Sequence, residues 1–169
     1  MWAVDTFAMR RVTFLVAAVA VAALAFAVAG CGGAKSDDPG AFASHVLQEE
    51  ISGQWAAQWG ELNPGHQKLI SRAEYVTCSE AMGTNFGTGK EKLDVQSIRD
   101  VPIHVANVPE RTAKLVAIRL SNVPGQSPVT YHVHAVREAG HWTWILGASF
   151  LDAIAHGQCL DGSPLNPTT

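Results

Sequence analysis

Four histidines are the side chains most capable of chemistry in this chain. His132 and His134 flank Val133, and strand alternation would place both imidazoles on one face. His141 opens the next alternating stretch, and His104 lies in an earlier one. Two imidazoles from one strand with a third from a neighbour can ligate zinc or copper. No patterned carboxylate accompanies the pair to orient the rings. The competing reading is a solvated or half-buried strand face on which histidine is tolerated. The turn at Ala139-Gly140 decides the geometry. A two-residue turn sets Trp142 and Trp144 on the face of Tyr131, Val133 and Ala135, with His132 and His134 opposite. A three-residue turn exchanges the partners and brings His134 opposite Trp144. Both registers stay open at the level of sequence.

Other signatures fail on inspection. "GTNFGTGKE", residues 83–91, resembles a phosphate loop, but Thr84 stands where the first glycine is needed. Glu91 follows Lys90 where a hydroxyl is required to hold magnesium. Gly147-Ala148-Ser149-Phe150 lacks the closing glycine of a nucleophile elbow.

The elements that must position these residues follow from periodicity. Leu47, Ile51, Trp55 and Trp59 recur every four residues, predicting one helix over 42–62 with Gln48, Glu49, Ser52 and Gln58 on its opposite side. Asn63-Pro64 breaks it and can start another. Ser71 and Glu74 fit a capping box for a helix reaching about Met82, ended by Gly83. Beyond Lys92 the period changes to two. Strands are predicted over 93–99, extending to 105 past Pro102, then 113–122, 129–137 and 141–148. Pro124-Gly125 turns between the second and third. Ser149 is predicted to cap a last short helix ended by Gly157.

Helices followed by an antiparallel meander of about four strands predict an α+β domain over 41–160, with helices packed on one face of a curved sheet. Residues 32–40, "GGAKSDDPG", read as a flexible tether, and 161–169 as a disordered tail.

Residues 10–33, "RRVTFLVAAVAVAALAFAVAGCGG", combine a basic pair, an apolar run and small residues, which describes a cleavable export signal over 1–30. Val28-Ala29-Gly30-Cys31 resembles the bacterial lipobox. That resemblance implies a diacylglycerol on the Cys31 sulfur and Cys31 as the first mature residue. The protein would then be exported and held on the outer face of the cytoplasmic membrane by lipid. Met9 is a more usual start than Met1, because Asp5 sits in a region that should be basic. Removing residues 1–30 leaves ten basic and fourteen acidic residues, net −4. With no basic cluster, nucleic acid is excluded as a partner, and the acyl chains must supply the anchoring.

The segments "WAAQWGELNPGHQKLISRAEYVTC" (55–78), "HAVREAGHWTWIL" (134–146) and "HGQC" (156–159) resemble small actinobacterial lipoproteins with a nuclear transport factor 2-like domain, the cone shared with ketosteroid isomerase and cystatin-like envelope domains. That superfamily includes isomerases and dehydratases, which implies a carboxylate or histidine projecting into an open cone. The positions expected to face inward, Val116, Ile118 and Leu120 with Val129, Tyr131, Val133 and Ala135, are nearly all apolar. Asp94 is the catalytic candidate by elimination, with Asp100 beside it.

With Cys31 acylated, two cysteines remain, and in an exported domain Cys78 and Cys159 are expected to oxidise to a bridge. The function expected is a noncatalytic, lipid-anchored envelope domain that binds a protein, a peptide or a small apolar ligand and carries no cofactor. A carboxylate-dependent isomerase or dehydratase and a metal-binding protein using His132 and His134 are the alternatives.

Overall fold

The computed structural model describes residues 37–82, 89–163 and 165. Cys31, the leader and most of the tether lie outside them, as do residues 83–88 of the glycine-rich loop. Four helices come first: α1 (Pro39–Ile51), α2 (Trp55–Gly60), α3 (Pro64–Gln67) and α4 (Arg72–Ala81). Four strands follow, β1 (Lys92–Val105), β2 (Val108–Ser121), β3 (Val129–Glu138) and β4 (His141–Trp144), and then α5 (Ala148–Ala155). The fold is α+β, and the sheet is an antiparallel meander in the order β1-β2-β3-β4.

Capping chemistry sets the helix starts. The Asp38 carboxylate accepts the Gly40 N–H at 2.9 Å, with Pro39 in the first turn of α1. Asn63 caps α3 by accepting the Gly65 N–H at 2.9 Å. Ser71 and Glu74 exchange both bonds of a capping box at α4. Gly147, not Ser149, caps α5, and Gly157 at φ +69° follows its end.

The single helix predicted over 42–62 is two. Gly53, at φ +68°, breaks it, and the Gln54 N–H reaches back to the Glu49 carbonyl at 2.8 Å. The break resets the helical phase. Gln58, assigned to the solvent side, is fully buried, and Glu49 is buried too.

β1 and β2 are joined by a tight turn at Ala106-Asn107, with Asn107 at φ 58°, so β2 begins five residues before the predicted Ala113. A Cβ on Gly65 would stand 1.9 Å from the Asn107 carbonyl oxygen, so only glycine lets this turn seat against α3. β4 ends at Trp144 rather than running to Ala148. The β3–β4 turn has two residues: Glu138 pairs with His141, and Ala139 and Gly140 both take positive φ.

Both faces of the sheet carry core, at different ends. Ala43, Leu47 and Ile51 of α1 pack on Val116, Ile118 and Leu120, with Tyr131 and Val133 alongside. Phe42 and Val46 cover Ala135 and Trp142. On the other face, Ala113 and Val136 pack with Ile103, Val108 and Ile145. The chain crosses between faces along the β4 edge, where Leu62 bridges Trp144 and the Asn63 N–H donates to the Trp144 carbonyl at 2.8 Å. A further cluster gathers Trp55, Leu62, Ile70, Tyr75, Leu146 and Phe150 around Cys78 and Cys159.

Candidate functional site

α1, α2 and α4 converge on a row of polar side chains next to the last of these clusters. The Gln58 amide donates to the Val46 carbonyl at 3.2 Å and to the Glu50 carboxylate at 3.3 Å. Its carbonyl oxygen accepts the Tyr75 hydroxyl at 2.5 Å. Tyr75 in turn lies edge-on to Trp144 and beside Phe150, with centroids 6.2 and 5.9 Å away. Burial pushes the Tyr75 phenol well up, so it acts as a neutral donor. Tyr131, on the facing strand, is raised by burial and by the nearby Glu50.

Two adjacent carboxylates at the end of α1 hold their protons more tightly than usual. Burial raises Glu50 against the opposing Gln58 hydrogen bond. Burial also raises Glu49, which its neighbour His45 lowers and Glu61 raises further. The His45 imidazole lies 3.3 Å from Glu49 Oε1, while Oε2 is buried without a hydrogen-bond partner. Burial of that position favours the protonated form of the carboxyl over the charged one.

An open groove of about 420 Å³ runs between α2 and α4. Gly53 through Ala57 form one wall; Arg72, Val76 and Glu80 recur every four residues along the other. The wall offers an apolar centre with a cation and an anion at its two ends. Such a groove can seat a short apolar segment or small molecule with polar ends.

Cys78 and Cys159 form a disulfide, with Cα atoms 5.2 Å apart, that ties α4 to the segment after α5. Closing a loop of 81 residues stabilises by about 4–5 kcal/mol in the chain-entropy account. The chain after it turns back, with the Cys159 N–H on the Ser163 carbonyl at 2.7 Å and the Leu165 N–H on the Gly157 carbonyl at 2.9 Å.

The histidines and Asp94 lie elsewhere. His132 and His134 pair with Ala117 and Leu115 on the sheet face opposite Tyr131 and Val133. Burial lowers His134, and the charges of His132 and Arg99 lower it further. His141 sits at the hairpin end against Glu138, and His104 pairs with Glu110 at 3.6 Å. Among the described residues no three His, Cys, Asp or Glu side chains gather closely enough to hold a metal ion. Asp94 pairs with Lys92 at 2.9 Å, opposite Arg119, away from the groove and from Glu50.

Comparison with family models, with curated proteins and with solved structures returned no match.

His66 is a buried group that the sequence left unmarked. Its Nδ1 accepts the Leu146 N–H at 3.0 Å, which places the ring proton on Nε2, 3.2 Å from the Ala106 carbonyl. Burial lowers its pKa. The imidazole is a clasp between the β1–β2 turn and the start of α5. Histidine followed by polar residues in "PGHQK" carries no periodic signal of burial.

Proposed function

We propose that this chain is an exported lipoprotein whose domain, anchored through lipid on Cys31, binds a partner without catalysis. The lipobox-like Val28-Ala29-Gly30-Cys31 at the end of an apolar leader carries the reading. The fold supports it in two ways. The disulfide suits an oxidising compartment. Gln58, Tyr75, Asn63, His66 and Thr143, all buried, are bonded to one another or to backbone and so are committed to holding helices on the sheet. The order of helices followed by a four-stranded antiparallel meander is the order expected of a nuclear transport factor 2-like cone. The α2–α4 groove is the place for an apolar peptide or small ligand. Replacing Cys31 with Ala and fractionating cells tests the anchor: the variant leaves the membrane fraction, and a variant that stays there overturns the reading.

A second reading has one observation in its favour. Glu49 and Glu50 are raised, and Glu49 keeps a buried oxygen free, so a carboxylate-dependent isomerase would use them rather than Asp94. Small ketones and enones incubated with the protein in deuterated buffer would then take up deuterium, and Glu49→Gln or Glu50→Gln would abolish the uptake. No uptake by the wild type removes this reading.

A further inference from the structure

We propose that the outer edge of β1 pairs antiparallel with the same edge of a second copy, giving a two-fold dimer with one continuous sheet. β1 is an end strand of the sheet, and its residues 92–100 are exposed or half-exposed throughout. The opposite end is shorter and already occupied, since β4 has four residues and Leu62 bridges Trp144. A long open edge presents a row of backbone donors and acceptors, and an exposed row of this kind recruits another strand.

The side chains along β1 suit a copy of themselves. Register slips between Val95 and Ser97, leaving Gln96 as the extra residue of a bulge. The bulge puts Val95 and Ile98, opposite Ile118 and Val116 on β2, on one face. Both are 42% exposed although the first turn of α1 lies over them, a Cβ on Gly40 being 3.1 Å from Ile98 Cδ1. Asp94 and Arg99, opposite Arg119 and Leu115, share the other face.

A dyad between Gln96 and Ser97 then sets Val95 against Ile98 of the partner subunit and Asp94 against Arg99 of the partner subunit. Each match occurs twice by symmetry, and residues brought opposite one another come from the same face. Shifting one strand by two residues places Lys92 against Arg99 of the partner subunit, and centring the dyad on Arg99 sets it against itself. The register with like faces and unlike charges is therefore the one around Gln96 and Ser97. It ends before Pro102, which has no N–H to give. Arg99 has no carboxylate partner within its own chain among the described residues. The occupant is a second copy because the central stretch 94–99 matches its own reverse, Val95 with Ile98 in apolar character and Asp94 with Arg99 in charge.

The pairing does not depend on the lipid anchor. Sedimentation equilibrium of the full chain in a mild, density-matched detergent should give the mass of two chains at micromolar concentration. Arg99→Asp sets like charges opposite each other at two symmetry-related places and should weaken association about tenfold or more. Adding Asp94→Arg to the same chain should restore it. A monomeric wild type overturns the proposal, as does a dimer indifferent to Arg99→Asp or a double variant that stays dissociated. As a check that does not alter charge, Ser97→Cys joined by a short bismaleimide should run as a covalent dimer. A monomer band under the same treatment also overturns the proposal.

Discussion

Replacing His66 tests whether the helices and the β1–β2 hairpin are clasped by one neutral imidazole. The ring is fully buried and bonded on both sides, to the Leu146 N–H at 3.0 Å and the Ala106 carbonyl at 3.2 Å. His66→Leu fills most of the volume but leaves a donor and an acceptor without partners. Each orphaned group costs about 1–3 kcal/mol, so the variant should lose about 3 kcal/mol. In a domain of this size that is roughly 10 °C in Tm. His66→Gln offers an acceptor and a donor on one amide and should recover part of the loss.

The same geometry sets a pH dependence. The folded state lowers the His66 pKa below its ordinary 6.5, because a buried ring has no room for charge and Nδ1 must stay an acceptor. The native state therefore binds the proton less well than the unfolded chain. Stability from this group is complete above 6.5 and is lost as pH falls through the unfolded pKa toward the folded one. His134, also lowered, contributes in the same direction. Thermal melts followed by circular dichroism from pH 7.5 to pH 5 should show a shallower loss for His66→Gln than for wild type. A loss under about 1 kcal/mol for His66→Leu, or identical pH slopes, would refute the clasp.

Cys78→Ser and Cys159→Ser should each lower stability by about 4–5 kcal/mol, equally, in denaturant melts under oxidising conditions. The Glu49 carboxyl is raised by burial, so its contribution is favourable below the ordinary 4.5 and is lost as pH rises through the folded value. Glu49→Gln should accordingly stabilise the protein at pH 8 and leave it little changed at pH 4, read from the same melts. Gly65→Ala would drive a methyl into the Asn107 carbonyl and should cost about 2–3 kcal/mol, whereas Gly147→Ala, which meets nothing within 4 Å, should cost far less.

Local signals carried most of the architecture. The capping residues at Asn63 and Ser71 marked real helix starts, because each side chain meets a specific backbone N–H within three residues. Alternation located all four strands, and the bridge pairing Cys78 with Cys159 is formed. The signals that misled were those decided by tertiary contact. Ile51, Trp55 and Trp59 keep their spacing of four across Gly53, so periodicity cannot see the break that buries Gln58. The turn at Ala106-Asn107 has no glycine of its own; the glycine it requires is Gly65, distant in sequence but in direct contact with Asn107. Glu49 and Glu50 look like solvated charge in "LQEEI", and only the packing of α2 and α4 against them shows otherwise. Candidate sites read from residue type alone, the histidine pair and Asp94, lie apart from the polar row that packing assembles.

The most direct test of the account is the intact mass and N-terminal peptide of the mature protein purified from membranes of the cells that make it. The expected chain begins at Cys31 and is heavier than its residues by a thioether-linked diacylglycerol, with Cys78 and Cys159 oxidised. A chain that retains residues 10–30, or begins at an unmodified Cys31, would contradict it.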